Sequence, residues 1–162
     1  MVYVQRNNTG AIVGLYNQPQ PGYAEEELAD DHPYVVEYRS RLEPTIDDLI
    51  DIERDRRVNA GLSFMGHRFQ TRPQDRENIA GAATLALVAL TLHGATVGDL
   101  RWHGGQSDFA WIDADNNLVP LDAPTMVMLG ASAANHKADH IYAARRLKDE
   151  PPLDFTDDVH WP

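Results

Sequence analysis

His136 and His140 stand four residues apart in a stretch of helical periodicity, so both imidazoles can face one way and hold a divalent metal. Asp139 lies between them, and His103 is a further ligand candidate from another segment. The metalloprotease pattern needs a glutamate directly after the first histidine. Here Lys137, Ala138 and Asp139 intervene, and packing or surface histidines account for the same spacing. Asp113, Asp115, Asn116 and Asn117 read DADNN, like the start of a calcium loop, but the glycine and closing glutamate of that loop are missing and a tight turn explains them equally. Gly104-Gly105 has no helix start after it to hold a phosphate. Ser63, Ser107 and Ser132 sit in no nucleophile elbow. The pairs Asp47/Asp48 and Asp157/Asp158 lie in strongly charged contexts, whereas acid–base catalysis needs a carboxyl in a dry pocket. No catalytic set emerges: the expectation is a protein that is not an enzyme, with no cofactor and no metal. A metal-dependent enzyme built on His136 and His140 stands as an alternative.

Charge is the stronger signal. The 162 residues carry a formal net charge of −11 at pH 7, which argues against binding nucleic acid or an anionic membrane through the long-range field. Yet Arg54, Arg56, Arg57, Arg68, Arg72 and Arg76 are six of the 14 basic residues and fall within 23 positions. Acid gathers at Glu25–Glu27, Asp30-Asp31, Asp47–Asp55 and the C-terminal tail. Such segregation suits docking to an acidic partner surface, including the tail or arm of another copy, and it equally suits a solvated face balanced by Asp51, Glu53, Asp55, Asp75 and Glu77. The tail also holds Phe155, Val159 and Trp161, more apolar surface than a solvated tail needs. The partner-binding candidates are therefore the six arginines with Phe155 and Trp161.

There is no cysteine, so disulfides and thiolate metal sites are excluded. No secretory leader is expected at MVYVQRNNTG, and the apolar run around Ile79–Leu92 is too short and too rich in Ala, Gly and Thr to span a bilayer.

The elements that must position these residues follow from periodicity and punctuation. Val2–Arg6 and Ala11–Tyr16 flank Asn7-Asn8-Thr9-Gly10 and predict a β-hairpin; Pro19 and Pro21 stop the pairing. Tyr23–Leu28 reads as an acidic extended piece. Asp31 is placed to cap a short helix from Pro33 to Leu42. Glu43-Pro44 marks a boundary. Thr45 and the acids after it open a surface helix with Ile46, Leu49, Ile50 and Glu53 on one face. Leu62–Phe64 and His67–Gln70 alternate about Met65-Gly66 as a hairpin. Thr71 to Gln74 reads as a capping box for a helix from Arg72 to His93. Ile79, Leu85, Leu87, Val88, Leu90 and Leu92 surround most of that helix, which predicts a central position. Asp99–Trp102, Phe109–Ile112 and Asn117–Leu121 read as a three-stranded antiparallel meander. Asp122 caps a last helix, to Lys148, whose Ala133, Ala134 and Ala144 fit packing on the Ala/Gly-rich helix before it. The fold class is α+β: residues 1–43 a hairpin arm with a short helix, 44–150 a domain of two long packed helices, a hairpin and a meander, and 151–162 a tail.

The segment YVQRNNTGAIVGLYNQPQPGYAEEELADDHPYVVEY resembles the opening of small bacteriophage tail proteins, where a hairpin precedes a similar NPQPGYAEE stretch. From Thr45 to Leu147 the chain is similar to a domain of unknown function found in phage tail-fibre assembly proteins and other tail genes. The matching features are the Arg-rich helix before Gly61, the hairpin ending in Gln70-Thr71, Asn78–Ala82, the Trp102 segment, Leu118–Asp122 and His136. The resemblance carries no catalytic residues. It implies a virion structural protein at the tail fibre or tail tip, or a transient fibre-assembly chaperone absent from the virion. The implied partners are other tail or fibre proteins and further copies of itself. The implied location is the virion tail, or the host cytoplasm during assembly.

Overall fold

Short turns built on Asn, Gly and Pro divide the chain. In the computed structural model, which describes residues 1–162, helix makes up 44% and strand 17% of the residues, in separate segments, so the class is α+β. The chain forms two compact units, Met1–Thr45 and Ile46–Pro162.

In the first unit, β1 (Val2–Arg6) pairs antiparallel with β2 (Ile12–Tyr16), with Val4 opposite Leu15. Asn7 closes the turn: its side-chain oxygen accepts from the N–H groups of Thr9 and Ala11, both at 3.0 Å. The acidic extended piece becomes a third strand, β3 (Glu26–Leu28), on the other edge of β1. Arg6 fastens it with two bonds to Glu26, at 2.6 and 2.9 Å. Helix α1 (Pro33–Ser40) sets the fully buried Val35 against Val2, Val4 and Ile12. Its cap is His32, whose ring accepts from the Tyr34 N–H at 3.3 Å, not the expected Asp31. Pro33 holds the residue before it in extended backbone, which makes that residue the cap and leaves Asp31 outside.

The second unit is built on its longest helix. It contains α2 (Ile46–Asn59), a hairpin of β4 (Leu62–Phe64) and β5 (His67–Phe69), α3 (Pro73–Leu92), a hairpin of β6 (Ala110–Ile112) and β7 (Leu118–Pro120), and α4 (Ala123–Asp149). A 3₁₀ turn, Asp158–His160, follows in the tail. Helix α4 has 27 residues, about 40 Å at 1.5 Å per residue, and α2 and α3 both pack on it. The α3–α4 contact is close: a Cβ on Gly130 would lie 2.4 Å from Cβ of Ala83. Ile79, Ala86 and Ala89 of α3 meet Met126, Leu129 and Ala133 of α4, with Phe69, Trp102 and Leu121 filling the end of the core. Asp122 caps α4 by accepting from the Thr125 N–H at 3.0 Å. The Met65-Gly66 turn has φ of 51° and 81°, the left-handed pair of a tight hairpin turn. No helix is long and apolar enough to cross a membrane.

Four further expectations are corrected. The meander has two strands: Asp99–Trp102 is a series of turns. Asp99 accepts from the Arg101 N–H at 2.8 Å, and Gly98 and Gly104 adopt φ of 84° and 79°, so the segment closes on itself before it can extend. Trp102 is buried all the same and donates from its indole to the Leu121 carbonyl at 2.9 Å. Thr71 is not the cap of α3. The cap is Arg72, whose N–H donates to Asp75 at 3.0 Å, while the fully buried Thr71 hydroxyl donates to the Val58 carbonyl at 2.7 Å. A charged carboxylate is a stronger acceptor at a helix N-terminus than the Gln74 amide. Helix α3 is not central: it packs on α4 along one side and leaves Leu85, Leu87 and Leu92 exposed. On α2, Ile46 and Leu49 stay exposed, and the buried face is Ile50, Glu53 and Val58.

The two hairpins of this unit are joined by Asp113, which is 2% exposed. It accepts from the Asp115 and Asn117 N–H groups and from the Asn117 amide, and sits 2.9 Å from the His67 ring. The Asn117 N–H first, then His67, lower its pKa to about 2 from 3.8. A carboxylate held this low stabilises the fold above its ordinary pKa, and the contribution fades as the pH falls through 3.8 towards 2. The urea midpoint of Asp113→Asn should therefore lie below that of the parent at pH 6, with the gap closing between pH 4 and pH 2. A gap that stays constant over that range would rule out ionised Asp113 as the link.

Candidate functional site

The arginines converge on one end of α2, but most are turned to internal use. Arg54 pairs with Asp51 and, at 2.8 Å, with Asp55. Arg56 reaches back to Glu53 at 2.6 and 2.7 Å. Arg57, 13% exposed at its side chain, donates to the same carboxylate at 2.6 Å. Spacings of three and four residues put all three on reachable faces of one helix. Glu53 is thus buried with two guanidiniums on it. Arg56 foremost, and Arg57 with it, hold its pKa below the usual carboxylate range against the opposing effect of burial.

Arg57 then crosses to the tail. One terminal nitrogen donates to the Thr156 carbonyl and pairs with Asp158, both at 2.7 Å, and the guanidinium lies 5.2 Å from the ring centre of Trp161. Trp161 is buried against Ile50, Ala143, Ala144 and Leu147, with Phe155 beside it. Its indole N–H donates to the Phe155 carbonyl at 2.8 Å, and its ring stacks on His140 at 6.1 Å. Pro151-Pro152 ends the helical run, and the chain folds back over α2 and α4. Three of the candidate residues, Arg57, Phe155 and Trp161, are therefore brought together, but on the chain's own tail.

The histidine pair closes the same region from α4. His140 Nδ1 is 2.7 Å from the His136 carbonyl, and His136 Nε2 is 3.3 Å from the Val58 carbonyl. Each ring thus spends one nitrogen on the main chain. Burial first, then the neighbouring His140, lower the His136 pKa. No group of three or more potential ligands gathers anywhere in the chain.

The other candidates separate. Arg72 stays at the start of α3 with Asp75 and Gln70. Arg68 projects from β5 into solvent with no side-chain partner, and its carbonyl accepts from the Ala114 N–H at 2.7 Å. Arg76 donates to Asn59 at 2.9 Å and to the Thr71 carbonyl and forms no ion pair, although its charge adds to the effect of Arg72 in lowering the Asp75 pKa. It lies where two depressions adjoin. One, about 380 Å³, runs between α3 and α4 over Glu77, Ile79, Ala80, Gly130, Ala133 and Ala134. The other, about 400 Å³, runs between α2 and α4 over Val58, Asn59, Arg54, Asp55 and Ile141. Both are walled by Pro73, Arg76 and Lys137. Lys137 is exposed and forms no ion pair. The result is a pair of adjoining depressions, the first largely apolar and the second mixed, with two cations between them that form no ion pair, although Glu77 lines one depression and Asp55 the other. Sequence reasoning treated Lys137 only as a residue between two histidines. The signal that would have found it is the run Ala133, Ala134, Lys137, Ile141, one stripe of α4 at helical spacing.

Tail and helices should stand or fall together. Trp161→Ala should lower the stability of the full chain by about 3–5 kcal/mol, the usual cost of emptying a buried aromatic site, read as the urea midpoint. Arg57→Lys, which keeps charge but loses the planar fork, should fall between that variant and the parent. A Trp161→Ala midpoint equal to the parent's would show that the tail carries no part of this core.

No curated protein and no solved structure matches the chain. A family model described as a domain of unknown function (DUF4376) matches residues 43–159. That range runs from the boundary before α2, through both hairpins and α4, into the tail segment that Arg57 holds. The chain belongs to the DUF4376 family.

Proposed function

We propose that this protein is a non-enzymatic bacteriophage tail component, associated with the tail fibre or tail tip, that acts by binding other tail or fibre proteins within the virion. The observation that carries the reading is the groove between α2, α3 and α4. The α3–α4 part is lined mainly by Ile79, Ala80, Gly130, Ala133 and Ala134, and Arg76 and Lys137 stand at its waist outside any ion pair, with Glu77 and Asp55 on the outer walls. In a chain of net charge −11, two cations outside any ion pair beside apolar surface favour a segment that brings both a carboxylate and apolar anchors. The arrangement is that of a docking groove. The phage context rests on the resemblance of the N-terminal segment, from Tyr3 through the Pro19-Gln20-Pro21-Gly22-Tyr23 phrase, to the opening of small tail proteins.

Two measurements test the reading. Mass spectrometry of purified particles should find the chain at stoichiometric levels. Its absence from finished particles that nevertheless need it for fibre assembly would make it a transient chaperone instead. Lys137→Glu reverses one exposed, unpaired charge and should leave the melting temperature unchanged while cutting incorporation about tenfold or more, the equivalent of 1.4 kcal/mol. Full incorporation of that variant would remove the groove from the interface.

A further inference from the structure

We propose that α3 is a self-association surface, on which two copies of the chain pair antiparallel with Leu92 of each seated over Gly81 of the other. Gly81, Leu85, Val88 and Leu92 follow one another at steps of four, three and four residues, the spacing of a helix–helix seam. They fall within about 60° of one another around the helix, turned away from the side that α4 covers. Leu85 is 49% and Leu92 75% exposed.

Three features select a second copy as the occupant. First, no Asp, Glu, Lys or Arg occurs from Asn78 to Leu92. Two chains of net charge −11 repel at long range and must meet through an uncharged band, and this is the longest one exposed on a helix. Second, the seam is complementary to itself. A twofold axis between Leu85 and Val88 sets Leu85 opposite Val88 and Gly81 opposite Leu92, so the most exposed leucine of α3 meets its only glycine. Third, nothing inside the chain calls for that glycine. A Cβ at Gly81 would meet no atom within 4 Å, although glycine is poorly suited to a helix interior. A close neighbour from outside gives it a purpose. Antiparallel pairing also sets the two helix dipoles in opposition. This face is distinct from the groove at Arg76 and Lys137, so either reading can fail alone.

A seam of this length buries less than the roughly 1,200 Å² of standard interfaces, so the pairing is concentration-dependent. Sedimentation velocity of the full chain across micromolar to millimolar concentrations should show a monomer–dimer equilibrium. Leu85→Lys/Leu92→Lys, both at exposed positions, should weaken it by about tenfold or more at an unchanged melting temperature. The chain has no cysteine, so orientation can be read directly. On oxidation, a mixture of Gly81→Cys and Leu92→Cys proteins should form the mixed disulfide in preference to either like pair. A monomer at every concentration, a dimer indifferent to the two lysines, or cross-linking of like with like would each overturn the proposal.

Discussion

Within the Ile46–Pro162 unit, the tail is fastened to α2 by the guanidinium of Arg57. That group stands between a buried carboxylate on its own helix, a backbone carbonyl and a carboxylate in the tail, and the face of Trp161. The buried partners among these would be costly alone. Arg56 and Arg57 hold Glu53 ionised against the opposing effect of burial, and removing one member of a buried pair typically costs about 3–5 kcal/mol. Trp161, 7% exposed, has the guanidinium 5.2 Å from its ring centre. A planar, always charged group with several donors serves Glu53 and Trp161 while also reaching the exposed Thr156 carbonyl and Asp158, which a lysine cannot.

That arrangement changes the meaning of the charge segregation. A cluster of arginines opposite an acidic tail suggests a surface awaiting another molecule. Here the tail of the same chain answers Arg57, neighbouring acids on α2 answer Arg54 and Arg56, and Asp75 answers Arg72. What remains of the cluster outside any ion pair is smaller: Arg68 on β5, and the waist of the groove, where Arg76 donates only to neutral oxygens and Lys137 faces solvent. The net charge of −11 sets a long-range field that repels anions, and Arg76 with Lys137 is a local exception to it.

Local signals were legible in the sequence and distant ones were not. The β4–β5 hairpin follows from strict alternation about Met65-Gly66, and α4 from Asp122, Pro124 and a long helical period, because those features act within a few residues. The start of α3 was misplaced by one residue because two capping frames overlap, Thr71 with Gln74 and Arg72 with Asp75. The choice depends on Thr71 being needed by Val58 on another helix. The Asp99–Trp102 turns were hidden by aromatic residues that suit a strand but here serve the core from a turn. Helix α3 shows the limit of hydrophobic count: its leucines predict burial all round, whereas this chain has only enough partner surface for one side. Of the candidate site, the residue types were readable, but not that Arg57 and Trp161 belong to each other, or that Lys137 belongs with Arg76.

The distance along the chain between Arg57 and Thr156 has a kinetic consequence. They are 99 residues apart, whereas the Thr71–Val58 link that ties α2 to the start of α3 spans 13. Loop-closure entropy makes the longer connection roughly 2 kcal/mol harder to form, other things equal. The hairpin and the first helix contacts can assemble while the C-terminal residues are still searching, and docking of the tail is the least local step in the unit. Contacts completed after the rate-limiting step raise the barrier to unfolding with little effect on the rate of folding. The aromatic tail thus acts as a brake on opening, and sets how long the folded unit lasts more than how quickly it forms.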